Sequence, residues 1–324
     1  MSPMLIRRGR TAALSLLACA LVAPMVHAWS PADAPRATAP VAASSMAPPK
    51  PLLWKVSDKD NSLYLIGSFH LLQTDGYQLS SDIYRVFNDA QNVVFEVPPS
   101  ELTDPALAVK MQQLAGYADG RSLSQVLPSD VRDRMSKMLG AEHLKQMETM
   151  EPWFINLGLL IGISQQLGFK PEQGLDLHLA RQAEAAKKPV SGLETVDRQL
   201  QVLDGAPMDE QIAGLRDFFS KPAEVPKLLQ ETHAAWRNGD VERLNALVID
   251  EVRKETPVTY RMVNTERNDA WVPQLQKMLD DSKQGNVLVV VGAMHLLGED
   301  GVVEKLRAKG FQVERICSAC TKQK

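Results

Sequence analysis

Two short apolar runs set the frame of this chain. Leu63-Tyr64-Leu65-Ile66 and Val287-Leu288-Val289-Val290-Val291 contain no charged residue, the pattern of a strand buried on both faces. Each leads into the same spacing of residues, Gly67-Ser68-Phe69-His70 and Gly292-Ala293-Met294-His295. Each is then followed by a leucine pair, Leu71-Leu72 and Leu296-Leu297. Glycine directly after a strand permits a sharp turn, because it reaches backbone angles closed to other residues. The pattern predicts two histidines just past the carboxyl ends of interior strands, the edge at which open α/β sheets bind ligands.

The flanking patterns place these two runs in one sheet. A strand over 52–56, the turn residues 57–61 and the first apolar run read as a hairpin. Ser80-Ser81-Asp82 caps a short helix with Ile83, Val86, Phe87 and Ala90 on one face. A strand over 92–97 follows and is stopped by Pro98-Pro99. From 105 to 271 the periodicity is helical, with starts at Pro128-Ser129-Asp130 and Glu151-Pro152. The stretch 153–168 is apolar nearly all round, but its length, Asn156, Gln165 and Gln166 make it a buried helix and not a membrane span. Further helices are expected over 174–188, 196–203, 209–219, 223–238 and 241–253, with a short strand at Pro189-Val190. A helix over 267–280 returns to the second motif. Glu299-Asp300-Gly301 opens the last helix, with acids at its positive end, Gly310 ends it, and 311–316 is the last strand. Strand-rich ends around a helical middle predict an α/β fold: a mixed central sheet built from the amino- and carboxyl-terminal parts, carrying a large inserted helical group.

Charge and composition narrow the setting. The 324 residues carry a formal net charge of −3, with 6% aromatic residues, which gives no basic face for nucleic acid. Arg7, Arg8 and Arg10 precede the small and apolar stretch 11–26, and Val26-His27-Ala28 ends it. This is the layout of a signal peptide cleaved after Ala28, so residues 1–28 are expected to direct export, to a periplasmic location, with no transmembrane anchor afterwards. A lipoprotein box at Cys19 is the lesser alternative, since the apolar run continues past it. Losing the three arginines would take the net charge from −3 to −6. The Pro-, Ala- and Ser-rich stretch 29–50 reads as an unstructured linker, the domain as 51–316, and 317–324 as a tail holding Cys317-x-x-Cys320. In an oxidising compartment this pair is expected to form a small disulfide staple.

The candidate chemistry gathers around the two histidines. His70 and His295 on neighbouring turns could hold a cation, with Glu96 in Val93-Val94-Phe95-Glu96-Val97 as an anionic third ligand. A carboxylate in an apolar strand is costly unless paired; an outward-facing position or a salt bridge is the other reading. Two histidines and a glutamate with open positions form a hydrolytic arrangement, although a related triad binds non-haem iron. Arg267-Asn268, at the expected start of a helix, could polarise a carbonyl or simply face solvent. Glu194 could support the site or cap the next helix.

Taken together, the two GxxH motifs, Glu96, Gly192-Leu193-Glu194-Thr195, Glu266-Arg267-Asn268 and the phrase 291–301 resemble the TraB/GumN (TraB/PrgY/GumN) family. That family is similar to the Tiki metalloproteases and, more distantly, to erythromycin-esterase and ChaN-like haem-binding proteins. The resemblance implies a Tiki-like α/β fold and a metal-dependent, peptidase-like hydrolase acting on a peptide or protein. By it, His70, Glu96 and His295 hold a divalent ion (Mn, Co or Zn), Glu96, Arg267 and Asn268 serve catalysis, Gly67 and Gly292 are the motif glycines, and Glu194 lies behind the site. The alternative is a non-catalytic protein that captures a peptide or haem.

Overall fold

The computed structural model describes residues 48–73, 78–281 and 285–320. The expected signal segment 1–28 lies outside the described residues, as does the expected linker apart from 48–50. Eight strands are present among the described residues: β1 (Leu53–Ser57), β2 (Ser62–Ser68), β3 (Leu72–Gln73), β4 (Asn92–Phe95), β5 (Phe169–Lys170), β6 (Val190–Gly192), β7 (Val287–Gly292) and β8 (Gln312–Arg315). Six of them form one mixed sheet in the order β6-β4-β7-β2-β1-β8. Strands β6, β4, β7 and β2 run parallel, while β1 is antiparallel to both β2 and β8.

The apolar runs explain the centre of that order. Every residue of β2 and β7 is buried, as a parallel pair covered on both faces requires. Their register runs from Leu63 opposite Val287 to Ser68 opposite Gly292, so the two GxxH turns leave the sheet side by side. The β1–β2 hairpin is closed by Asp58, whose Oδ1 accepts from the backbone N–H groups of Asp60 and Asn61, both at 3.1 Å. The helix Ser81–Asp89, capped by the Ser80 side chain, turns Ile83, Val86 and Phe87 into the core.

The helical middle has its own packing. Ile155, Leu159 and Leu160 of the helix Pro152–Gln166 meet Leu215, Phe218, Phe219 and Leu229 from the two helices Met208–Ser220 and Glu224–Arg237. No helix among the described residues is long and apolar enough to cross a membrane. Phe69, inside the first motif, packs against both this cluster and the sheet core. Next to it, buried Trp236 donates its Nε1–H to the Gly67 carbonyl at 2.9 Å. The first turn is thereby tied to the inserted helices.

Four details differ from the sequence expectation. The strand expected over 92–97 ends at Phe95, so Glu96 stands just beyond it. Leu72 does not simply follow a turn but pairs with Lys170 in a small two-stranded sheet. The expected helix over 241–253 is interrupted by a π-helical stretch, Asn245–Asp250. Arg267 and Asn268 do not start a helix: one helical run passes through Pro257–Tyr260, a π-helical Arg261–Thr265 and Glu266–Asp280. The residue after Phe95 and the interior of that long run therefore both point at the sheet edge.

Replacing Trp236 by Phe removes a buried donor while keeping most of the ring. We expect a loss of about 1–3 kcal/mol in urea unfolding with an unchanged slope.

Candidate functional site

Adjacent parallel strands each deliver one ionisable side chain to the same carboxyl edge. In sheet order these are Glu194 after β6, Glu96 after β4, His295 after β7 and His70 after β2. One oxygen of Glu96 faces both histidines: Oε1 lies 3.9 Å from Nε2 of His70 and 3.8 Å from Nε2 of His295. The same oxygen accepts the backbone N–H of Gly292 at 2.6 Å. The other, Oε2, accepts from Arg267 Nη2 at 2.6 Å and Gln199 Nε2 at 2.9 Å. Glu96 is 8% exposed, Arg267 5% and His295 3%, so these charges meet largely out of water.

Arg267 is the hub on the far side. Its Nε and Nη2 donate to Glu194 Oε1 at 2.9 and 2.5 Å, and its Nη1 donates to His295 Nε2 at 3.0 Å. An arginine can only donate, so Nε2 of His295 is the acceptor and the ring proton sits on Nδ1. That proton is given to Asn268 Oδ1 at 2.8 Å. Asn268 in turn donates through Nδ2 to Asn264 Oδ1 and to the Asp300 carbonyl, which fixes its amide orientation. Trp271 lies under both groups, 4.5 Å from the His295 ring and 4.8 Å from the guanidinium carbon. The π-helical turn before Glu266 and the helix itself bring Asn264, Arg267, Asn268 and Trp271 to one place.

The electrostatics follow from this packing. Burial and the Arg267 charge push the His295 imidazole down to about 3, so it is neutral. Burial alone would raise the Glu96 carboxyl, but Arg267, the imidazoles and the Gly292 N–H outweigh it and hold Glu96 well below the usual carboxylate range. For His70, burial is outweighed by the carboxylates of Asp176 and Glu96, which raise it. Asp176 Oδ1 is 3.3 Å from His70 Nδ1. A pocket beside these atoms is lined by His70, Glu96, Asp176 and Gln199 together with aliphatic Val97 and Leu102.

The motif glycines serve closeness, not unusual backbone angles. Gly292 has φ −53° and Gly67 is not in the left-handed region. A Cβ on Gly292 would stand 2.9 Å from His70 Nε2 and 3.1 Å from Glu96 Oε1, and one on Gly67 would stand 3.0 Å from the Ala293 Cα. The expectation of a turn requiring glycine's freedom is therefore replaced by one of space.

Glu194, left open between support and capping, accepts from Arg267, while Thr195 caps the following helix through its side chain. Arg267 and Asn268 are buried and do not face solvent. Cys317 and Cys320, just beyond the last strand, form a disulfide, S–S 2.00 Å. Sequence reasoning missed Asp176, Gln199 and Asn264. An aspartate in a first helical turn is ordinary, and nothing in the local pattern of the other two marks them.

Fitness for a metal ion can be judged from these groups. Among the described residues, no group of three or more His, Cys, Asp or Glu side chains is arranged to hold one. The donor types and charge nevertheless suit a divalent cation. Two imidazoles and a carboxylate converge, Glu96 and Glu194 share the Arg267 guanidinium, and Asp176 lies beside His70. The bond from Arg267 to His295 Nε2 is the contact that would have to open.

A profile of the TraB/PrgY/gumN family matches residues 52–315. The chain is 25% identical over 252 residues to the uncharacterized protein YbaP of Escherichia coli, covering 75% of this chain and 87% of that protein. It is 22% identical over 317 residues to metalloprotease TIKI2 of Xenopus tropicalis and 22% over 311 residues to metalloprotease TIKI1 of Danio rerio. Those two matches take in 81% of this chain but only 59% and 62% of the relatives' length. No solved structure matches the chain.

Two measurements probe this geometry. Gly292→Ala is expected to displace the His70 ring, read as a shift of its ring-proton signals in NMR spectra, with far-UV circular dichroism unchanged. Glu96 is held low in the folded state, so its stabilisation is present above its unfolded value of 4.5 and is lost as pH falls through the lower folded one. The urea-midpoint gap between wild type and Glu96→Gln should be wide at neutral pH and shrink on acidification below 4.5.

Proposed function

Because the chain belongs to the TraB/PrgY/gumN family, we propose that it is an exported hydrolase that cleaves a peptide bond of a peptide or protein at the His70–Glu96–His295 centre. The observation that carries the reading is the single Glu96 oxygen facing Nε2 of both motif histidines at 3.9 and 3.8 Å. The relatives named metalloproteases support it, and the amino-terminal charge and apolar pattern supports export.

His70, Glu96 and His295 would hold a divalent ion of the manganese, cobalt or zinc type, whose chemistry is to acidify water and polarise a carbonyl. Glu96 supplies the anionic donor and, through Arg267, stays ionised. Asn268 holds the His295 proton on Nδ1, which leaves Nε2 as the acceptor on the side where Arg267 and Glu96 lie. Arg267, whose Nη1 meets His295 in this arrangement, would offer its guanidinium to the oxygen of a reacting carbonyl. Glu194 keeps it oriented through two hydrogen bonds.

One observation favours a second reading. Nε2 of His295 already accepts from Arg267, which leaves His70 Nε2, at the pocket, as the open imidazole nitrogen. In that version His70 alone takes a proton from water, and Arg267 stabilises the oxyanion from its present position.

Metal analysis of the purified protein, with cleavage of a peptide library, separates these. The ion-held reading expects about one equivalent of metal, abolished together with cleavage in His70→Ala and in His295→Ala. Cleavage that survives exhaustive chelation would transfer the chemistry to His70 alone. Tight peptide or haem binding without turnover in any added metal would overturn the hydrolase and leave a capture protein.

A further inference from the structure

The two motif histidines are supported in matching ways, and only one of the two supports was visible in the sequence. His295 has its Nδ1 backed by Asn268 Oδ1 at 2.8 Å and its Nε2 turned to Glu96. His70 has its Nε2 turned to the same Glu96 oxygen, and the atom behind its Nδ1 is Asp176 Oδ1 at 3.3 Å. Each backing oxygen comes from a helix outside the sheet: Asn268 from Glu266–Asp280, Asp176 from the first turn of Leu175–Ala185.

We propose that Asp176 is a positioning residue for His70: its carboxylate accepts the Nδ1 proton and so reserves Nε2 for the Glu96 side of the site. Three observations besides the distance support this. Both His70 Nδ1 and Asp176 Oδ1 are buried, and neither has a hydrogen-bond partner, the 3.3 Å contact between them falling short of full alignment. No competing group is therefore on hand to take the proton. The segment carrying Asp176 is also fastened to the motif, since Leu175 N–H donates to the Phe69 carbonyl at 3.1 Å. Gly174 is pressed so closely there that a Cβ would stand 2.6 Å from the His70 carbonyl oxygen and 2.7 Å from Asp176 Oδ1. Finally, Asp176 and His70 line the same pocket as Glu96, so a tautomer fixed at one end of the imidazole is read at the reacting end.

The role is that of a carboxylate holding the remote nitrogen of an imidazole. Such partners set ring orientation and tautomer, and losing one typically weakens metal affinity by roughly 10–100-fold. The inference rests on the function proposed above insofar as Nε2 is the working atom, but the tautomer itself is a property of the metal-free protein.

The test uses nitrogen-15-labelled histidine in the full chain, with the His70 signals assigned by their loss in His70→Ala. Metal-free wild type should show His70 protonated at Nδ1 when neutral. Asp176→Leu should lose that preference and weaken zinc binding, titrated with zinc chloride, by roughly 10–100-fold. Asp176→Asn keeps an oxygen that can accept, as Asn268 does for His295, and should retain the Nδ1–H form. A wild-type His70 protonated at Nε2 would overturn the proposal without any variant, as would an Asp176→Leu protein whose tautomer is unchanged. If wild type takes up none of zinc, manganese and cobalt, the ion-held reading fails, while the tautomer measurement still decides the role of Asp176.

Discussion

Burying a carboxylate among side chains costs several kcal/mol unless its charge and lone pairs are met, and Glu96 is met on every side. Arg267 and Gln199 take one oxygen, and the Gly292 N–H takes the other. Each partner comes from a different part of the chain, so the arrangement can form only when β4, β7, the helix Glu266–Asp280 and the helix Val196–Asp204 have all docked. The histidines then face an anion whose ionised state is assured. Charge at this edge is therefore a structural requirement of the fold.

The parallel β2–β7 pair makes that convergence possible. Neighbouring strands lie about 4.8 Å apart, and the glycines remove the side chains that would otherwise keep the two turns from closing. Phe69 and Trp236 then pin the first turn against the inserted helices, while Trp271 and Asn268 pin the second from the sheet side. Trp236 and Trp271 both belong to the core of the sheet, and Phe69 links that core to the helical cluster.

Some of this was legible in the amino-acid order and some was not. Uninterrupted Leu/Ile/Val runs identify interior strands, and a repeated histidine after such runs identifies one edge, because burial on both faces leaves a distinct signature. Glu96 could be singled out as a lone acid in an apolar stretch. The long helical run from Pro257 hid the true position of Arg267, since a widened π turn has no periodicity of its own to read. Asp176, Gln199 and Asn264 were silent because their roles depend on helix placement around the sheet, a long-range fact that local pattern does not encode. The glycines were recognised for the wrong physical reason: the constraint is a neighbour's atoms, not the backbone's own angles.

The strand order carries a consequence for biogenesis. The strand Val287–Gly292 sits between two partners that emerge some two hundred residues earlier, so its slot stays vacant until that strand itself has been made. Until then the two early segments have no bridge between them, and non-local pairing of this kind forms slowly. A nascent polypeptide consequently lacks the second imidazole, His295, until then. The cluster at the sheet edge is completed only when that late strand has taken its place, a dependence written into connectivity.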